Sequence, residues 1–239
     1  KKLQKKNIKD KSIKWLKNFD KIKKGPIVFF GNEFFDSIPI KQFKREKKLL
    51  FEKYYVLEKN LRIKEIFKKA SMKDAKEVNS FRTLKNINFI EYPKNGFLKL
   101  KKIIKKITSL DGCLLMIDYG YIKPNNQNTL QSVIKHKKNH ILNNLGKADI
   151  TSHVNFSLLN EFFLKNNLIV KKIIPQRQFL QNLGIIERSE IIAKKMKFLD
   201  KSNLYLRLNR ILNPKLMGNL FKVIVASSSK KKRYFGFSS

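Results

Sequence analysis

The feature that most constrains this chain is a set of short apolar runs, too brief for helices and mostly bounded by Gly, Asn or Pro. They occupy residues 12–16, 26–30, 113–117, 168–174 and 220–226. A half-buried strand alternates apolar and polar residues, so a continuous run of this length reads as a strand covered on both faces, as in a parallel sheet. Helical patterns lie between the runs. Phe97, Leu100, Ile103, Ile104, Ile107 and Leu110 recur at helical spacing, and Asp111-Gly112 ends that helix ahead of the next strand. Leu158, Leu159, Phe162 and Phe163 form a second stripe with Ser157 as the expected N-cap. Leu204, Leu208 and Ile211 form a third, which Pro214 stops. Strands alternating with helices predict an α/β sheet.

Residues 41–92 interrupt this rhythm. Within them 48–57 reads as a strand or hairpin arm and 63–74 as helix, which predicts an α+β insertion at the carboxyl edge of the sheet. The insertion is expected to shape the substrate face and to tolerate shortening at 71–81 with the core intact. Residues 227–239 read as a frayed basic tail. With no repeat or low-complexity linker, residues 1–239 are expected to form a single domain.

A formal charge of +36 from 54 basic and 18 acidic residues invites a nucleic-acid partner. The distribution argues against one. Only eight of the basic residues are Arg, and the lysines are scattered over the whole chain with many Asn and Ile, the composition that A- and T-rich codons produce in any protein. The lone Cys113 lies inside an apolar run, where it reads as a small buried hydrophobe, and one cysteine allows no internal disulfide. No apolar run reaches the length of about 18 residues that a membrane-spanning helix needs. The opening Lys1-Lys2 begins neither a signal nor a transit sequence, and the chain reads as starting within a longer protein. His136 and His140, four apart, would suit a metal on a helix face, but no third or fourth ligand lies near; no metal is expected.

In an open α/β sheet ligands sit beyond the carboxyl ends of the strands, so the residues that follow each run carry the information. Two exits stand out: the stretch from Gly31 to Phe43, with Asn32-Glu33-Phe34-Phe35-Asp36-Ser37-Ile38-Pro39 at its heart, and Asp118-Tyr119-Gly120. With Thr129-Leu130-Gln131, the stretch from Gly146 to Phe156, Gln178-Phe179-Leu180 and Met217-Gly218-Asn219-Leu220, they occur in the order found in the MidA family, which this chain resembles over about two hundred residues. That family has Asp where this chain has Asn155. The resemblance implies a Rossmann-like class I S-adenosylmethionine (SAM) methyltransferase sheet, here partial, with its first strands and glycine-rich SAM turn missing. The 239 residues alone are therefore expected to bind SAM poorly.

The resemblance also implies roles. Glu33 and Asp36 are the candidate catalytic carboxylates, and on a helical turn both would face one way. Read from the residues alone they also fit the first turn of a helix, where acids favour the macrodipole. Asp118, Tyr119, Asp149 and His153 are candidate substrate-binding residues, although Asp118 equally suits a cap and His153 a structural histidine. Leu16, Lys17 and Asn32 are candidate cofactor contacts, with Trp15 ending a strand beside the adenine. The implied function is protein arginine methylation on a core subunit of respiratory complex I, in the bacterial cytoplasm or, in a eukaryote, the mitochondrial matrix. Two other classes remain open at this point: a non-catalytic assembly protein that keeps the half-fold, and a basic nucleic-acid-binding module.

Overall fold

The computed structural model describes residues 6–8, 10, 12–16, 18–60, 62–123, 126–135, 137–229 and 234–237. Thirteen strands and seven α-helices lie within them. Along the chain they are β1 (Val28–Asn32), β2 (Lys41–Glu46), β3 (Leu49–Leu57), β4 (Ile63–Lys69), α1 (Met72–Asn79), β5 (Phe89–Tyr92), α2 (Lys94–Ser109) and β6 (Cys113–Tyr121). There follow β7 (Gln131–Ile134), β8 (Lys137–Asn139), β9 (Asp149–Thr151), β10 (Val154–Asn155), α3 (Phe156–Lys165), β11 (Ile169–Val170) and β12 (Ile174–Pro175). The chain closes with α4 (Gln176–Asn182), α5 (Ile185–Ala193), α6 (Phe198–Leu212), α7 (Met217–Leu220) and β13 (Phe221–Ser227).

The central sheet runs β1-β6-β13-β11, with β10 added to β6 and β12 to β13. Its spine is β6, whose alternate residues feed two cores. Leu114 and Met116 face a large cluster with Ile224 and Ala226 of β13, under α2 and α3; Ile117 faces a smaller one with Val223, Phe221 and Phe179 of α4. Helices on both faces explain why the 113–117 run lacks alternation. The helical stripes read from the sequence supply the lid. Phe97, Leu100, Ile104 and Ile107 of α2 are buried, and Phe97 stacks on Phe162 of α3 with ring centres 4.1 Å apart and planes at 7°. Each such side chain contributes about 1.5–3 kcal/mol on burial.

Several expectations change. The sheet is mixed: β1 runs parallel to β6, but β13 runs antiparallel, with Phe221 opposite Tyr119 and Ser227 opposite Cys113. An apolar run fixes burial and leaves direction open; here α7 delivers the chain to the carboxyl end of β6, so β13 must run back. The run at 12–16 forms no strand, and Trp15 lies in irregular chain. A strand requires a partner, and among the described residues β1 pairs only with β6, leaving Val28 and Phe30 67% and 64% exposed. The 168–174 run is two short strands rather than one. Asn155, not Ser157, caps α3, its Oδ1 accepting from the Leu158 amide at 3.0 Å. An asparagine oxygen serves there as well as a carboxylate, which accounts for the departure from Asp.

The 41–92 segment is mainly a second, antiparallel sheet ordered β4-β3-β2-β5. The stretch expected as helix over 63–74 is strand β4, paired with β3 from Leu57↔Ile63 to Phe51↔Lys69, and the helix begins only at Met72. Ile63, Ile66 and Phe67 carry helical spacing, but pairing with seven residues of β3 overrides it. The segment contributes to the core: Val78 is fully buried and Phe81 is 5% exposed, both in the cluster that holds Phe97, so shortening 71–81 should open a cavity there. Two contacts tie it to the helices that cover the main sheet. Glu161 of α3 accepts from the Arg82 and Thr83 amides at 2.7 and 2.9 Å, and buried Asp74, paired with Lys41 inside the segment, is also gripped by Lys94 of α2. At the other end, the tail is anchored where it is described, with Phe237 packed on Phe179 at 5.3 Å. Residues 230–233 lie outside the described residues.

A third small sheet, β8-β7-β9, stands above the carboxyl end of β6. His140 therefore follows a hairpin strand rather than lying on a helix, and its Nδ1 accepts from the Leu142 amide. His136 lies outside the described residues. Among those described, no group of His, Cys, Asp and Glu could hold a metal ion, and no helix is long and apolar enough to cross a membrane.

Candidate active site

The site is assembled where β1 and β6 end side by side. Asn32 closes β1, and the chain then turns at Glu33, which adopts a left-handed φ of 46° and donates its amide to the Ile117 carbonyl at 3.0 Å. The turn is not a helix, so Glu33 and Asp36 do not share a helical face: Glu33 is exposed and Asp36 is 6% exposed. They nevertheless reach one cleft. The organiser is Asp118, fully buried at the end of β6, whose Oδ2 accepts from the Phe35 amide at 2.8 Å and the Asp36 amide at 3.3 Å while Oδ1 accepts from its neighbour Tyr119. Burial raises this carboxyl to about 6, with the nearby Asp36 charge adding to the rise and the three amides opposing it. Asp118 thus holds the loop through both carboxylate oxygens.

Asp36 is the focus of the result. Its Oδ2 accepts from the Tyr119 hydroxyl at 2.7 Å, and its backbone carbonyl accepts from the Ser152 amide at 3.0 Å, tying the loop to the strand that leads to His153. Its Oδ1 is buried and has no hydrogen-bond partner among the described residues. Burial chiefly, and Asp36 as well, raises the Tyr119 phenol well above its ordinary value, so Tyr119 stays a neutral donor. Beside this pair opens a cleft of about 370 Å³ lined by Glu33, Asp36, Tyr119, Gln131, Asp149 and Thr151. In a chain with 18 acidic and 54 basic residues, the convergence of Glu33, Asp36 and Asp149 on one cleft is a local inversion of sign. It suits a cation that can donate hydrogen bonds.

Of the residues singled out in the sequence, Glu33, Asp36, Tyr119 and Asp149 come together here. His153 stands just behind, its ring edge-on to Tyr119 at 5.3 Å, with burial lowering its imidazole below the ordinary value. Asn32 is at the lip, its amide 3.4 Å from Glu33 Oε1. Leu16 lies in exposed irregular chain, and Lys17 is outside the described residues. Gln131 and Thr151 had not been singled out, although both lie in the motifs that carry the resemblance. Glu91, in the second sheet, had no sequence signal, and Gln42 lay at the end of the stretch that follows β1 with no role assigned: what matters is which loop they touch.

Comparison with known proteins now settles the family. Residues 1–174 match the family model described as "Putative S-adenosyl-L-methionine-dependent methyltransferase". The chain belongs to this family. It is 31% identical over 189 residues to the Caenorhabditis elegans protein named "Protein arginine methyltransferase NDUFAF7 homolog, mitochondrial", a match that covers 74% of this chain and 42% of that relative. The human protein named "Protein arginine methyltransferase NDUFAF7, mitochondrial" is 25% identical over 216 residues, covering 87% of this chain and 47% of the relative. The chain thus spans less than half the length of these curated relatives. A crystal structure from Burkholderia thailandensis, bound to S-adenosyl-homocysteine, superposes with a TM-score of 0.73 at 21% identity, covering 95% of this chain and 57% of that one. The fold is that of the family, an α/β methyltransferase sheet with an inserted α+β segment.

The family implies SAM, and the described residues fit one wall of its site. The exposed end of β1 at Asn32 faces outward beside the acidic cleft, at the carboxyl edge where such sheets bind ligands. None of the nine glycines forms a glycine-rich turn after a strand, the element that would cradle the cofactor's far end.

Proposed function

We propose that this chain forms the acceptor side of a SAM-dependent protein arginine methyltransferase, and that its substrate is a subunit of respiratory complex I. The observation that carries the reading is the buried, unpartnered Oδ1 of Asp36 beside Glu33 and Asp149. A lone buried carboxylate oxygen is costly unless a donor completes it, and a guanidinium offers planar donors that match paired carboxylates. The names of the relatives support an arginine acceptor, and their mitochondrial naming supports a mitochondrial location should the chain come from a eukaryote.

Bound SAM would supply an electrophilic methyl group on a sulfonium, with Asn32, Leu16 and Lys17 as its candidate contacts in this chain. The chain's residues do the rest. Asp36 Oδ1 accepts one guanidinium N–H and Glu33 another, which localises the positive charge away from the reacting nitrogen. Tyr119 holds Asp36 in its rotamer through Oδ2. Asp118 fixes the loop that carries both acids. Once the nitrogen is alkylated, its surplus proton passes to a carboxylate of the cleft. Most of the acceleration comes from alignment, which a loop pinned by a buried carboxylate provides.

The test is single-turnover methyl transfer to an arginine peptide by the complete native protein. Glu33→Gln and Asp36→Asn should each cost about 2–4 kcal/mol of transition-state stabilisation, roughly 30-fold to 1000-fold in rate, with SAM affinity unchanged. Tyr119→Phe removes only the rotamer lock and should cost less. Near-normal transfer in both acidic variants would remove these residues from the mechanism and the arginine reading with them.

A further inference from the structure

A second cleft adjoins the acidic one and has no place in the chemistry above. It is larger, about 560 Å³, and lies between the β3–β4 hairpin, which contributes Lys53, Tyr55 and Glu65, and the segments around Asn128 and Asn139, with His153 between them. Gln131 lines both clefts, so they meet at that residue. We propose that this cleft seats the stretch of substrate polypeptide that flanks the acceptor residue, in extended form. This rests on the reading of the acidic cleft as an acceptor site.

The chemistry of the walls favours a peptide. Side-chain amides from Gln127, Asn128, Gln131 and Asn139 line the walls, a polar surface chemically matched to peptide N–H and C=O groups, with several also bonded within the protein, as Asn139 Nδ2 is to Ser132 Oγ and the Asn143 carbonyl. The cationic character that a phosphate backbone would demand is muted: of the two lysines that line the cleft, Lys53 is paired with Glu65 at 2.5 Å and lies over the Tyr55 ring at 5.1 Å, which leaves Lys138 as the cation set against the Glu65 side of the wall. Tyr55 itself remains 41% exposed and presents a flat amphipathic face, the kind of contact enriched where chains dock. The volume falls within the range of about 300–1,000 Å³ usual for ligand clefts, and an extended chain advancing about 3.3 Å per residue would place a few residues in it.

The far wall is built to stay put. Glu91, 7% exposed on β5, accepts from Gln42 Nε2 at 2.9 Å, from the Thr129 amide at 3.0 Å, from the Leu130 amide at 3.2 Å and from the Thr129 hydroxyl. Gln42 Nε2 also donates to Asn128 Oδ1 at 2.7 Å, and Thr129 Oγ1 accepts from the His153 amide at 3.0 Å. Two buried polar side chains of the inserted sheet thus hold an irregular loop in one shape, and that loop is the cleft wall. A wall fixed before binding loses less conformational freedom when a ligand arrives. This gives the inserted sheet a role that its fold position alone does not: it is one jaw of the cleft and the clamp of the other.

The experiment uses the complete native protein and three probes: fluorescein-labelled nonapeptides with a central arginine and randomised flanks, the same library with citrulline at the centre, and Nα-acetyl-arginine amide. Anisotropy reports the libraries and competition the small compound. The arginine library should bind at least tenfold more tightly than Nα-acetyl-arginine amide. Tyr55→Ala should weaken both libraries at least fivefold and leave the small compound unchanged; because Tyr55 is exposed, the fold should survive, as circular dichroism would verify. Glu91→Gln, which loosens the wall, should act in the same direction on the libraries. Libraries that bind no better than the small compound, or that ignore Tyr55→Ala, would overturn the proposal. If instead the citrulline library still binds through Tyr55 while the small compound binds nowhere, the cleft stands and the arginine reading falls.

Discussion

Gly120→Ala tests whether the acceptor site depends on the close approach of β10 to β6. Gly120 lies opposite Val154 in the parallel pair, and a Cβ built on it would sit 2.0 Å from the Val154 carbonyl oxygen and 2.8 Å from its carbonyl carbon and amide nitrogen. All three are backbone atoms, so no side chain can rotate away. Opening the gap to an ordinary contact of 3.4 Å requires β10 itself to move. Overpacking of this kind costs about 1–3 kcal/mol, and weakening the two-residue pairing adds about 0.5–1.5 kcal/mol per lost bond, for a total of about 2–4 kcal/mol. In a chain of this size that lowers Tm by about 5–15 °C. The effect on function should be larger than on fold, because His153 precedes Val154 and Ser152 is bonded to Asp36; displacement by about 1 Å can cost roughly 100-fold in rate. Denaturant unfolding and arginine-peptide binding measure the two effects. Gly146→Ala is the control: Gly146 has a φ of 77° with nothing within 4 Å of its Cβ, so it should show only a modest backbone penalty and unchanged binding. A Gly120→Ala protein within about 0.5 kcal/mol of wild type, with normal binding, would refute the argument for a rigid β10 contact.

Three further outcomes are expected. Burial holds the folded-state Asp118 carboxyl at about 6, above the 3.8 of an ordinary aspartate, so its contribution to stability is fully present below the lower value and is lost as pH rises through the higher one; relative to Asp118→Asn the wild type should lose at most about 3 kcal/mol between pH 4 and 6.5, and a flat difference in denaturant midpoints would contradict this. Asp74 behaves oppositely: burial opposes its ionisation, but Lys94 and Lys41 prevail and hold it at about 2, so Asp74→Asn should destabilise at neutral pH by about 1–3 kcal/mol, with the gap closing as the wild type is acidified below pH 4, and an unchanged neutral-pH midpoint would count against it. The 239 residues alone should bind SAM weakly, and a low-micromolar calorimetric affinity would show that a glycine-rich turn is dispensable here.

Much of this molecule was legible from pattern. The runs at 26–30, 113–117 and 220–226 became β1, β6 and β13 because burial on both faces leaves a one-dimensional trace, and α2 kept the phase of its stripe. Local pattern failed where a distant partner decided the outcome. The residues of β4 have helical spacing until β3 is laid beside them, and residues 12–16 look like a strand but find no neighbour. Strand direction left no trace either, so the antiparallel course of β13 appeared only in the structure. In the site, Glu33, Asp36 and Asp118 were visible as acids after apolar runs, whereas their surroundings were not. That backbone amides occupy both oxygens of Asp118, while Asp36 Oδ1 has no partner among the described residues, appears only in the structure.

Among the described residues the outer edge of β1 has no partner strand, and that has consequences for how these 239 residues behave in solution. Such an edge, flanked by exposed Val28 and Phe30, is a template on which other chains can add strands, and sheets normally blunt such edges with charge or cover. Here the defence is diffuse: a surface of +36 keeps molecules apart at a distance. That repulsion acts over roughly 10 Å at 0.1 M salt and only about 3 Å at 1 M. High-salt buffers, which usually quiet a basic protein, would here unmask the edge and promote self-association, whereas a segment that pairs with β1 would confer tolerance to salt.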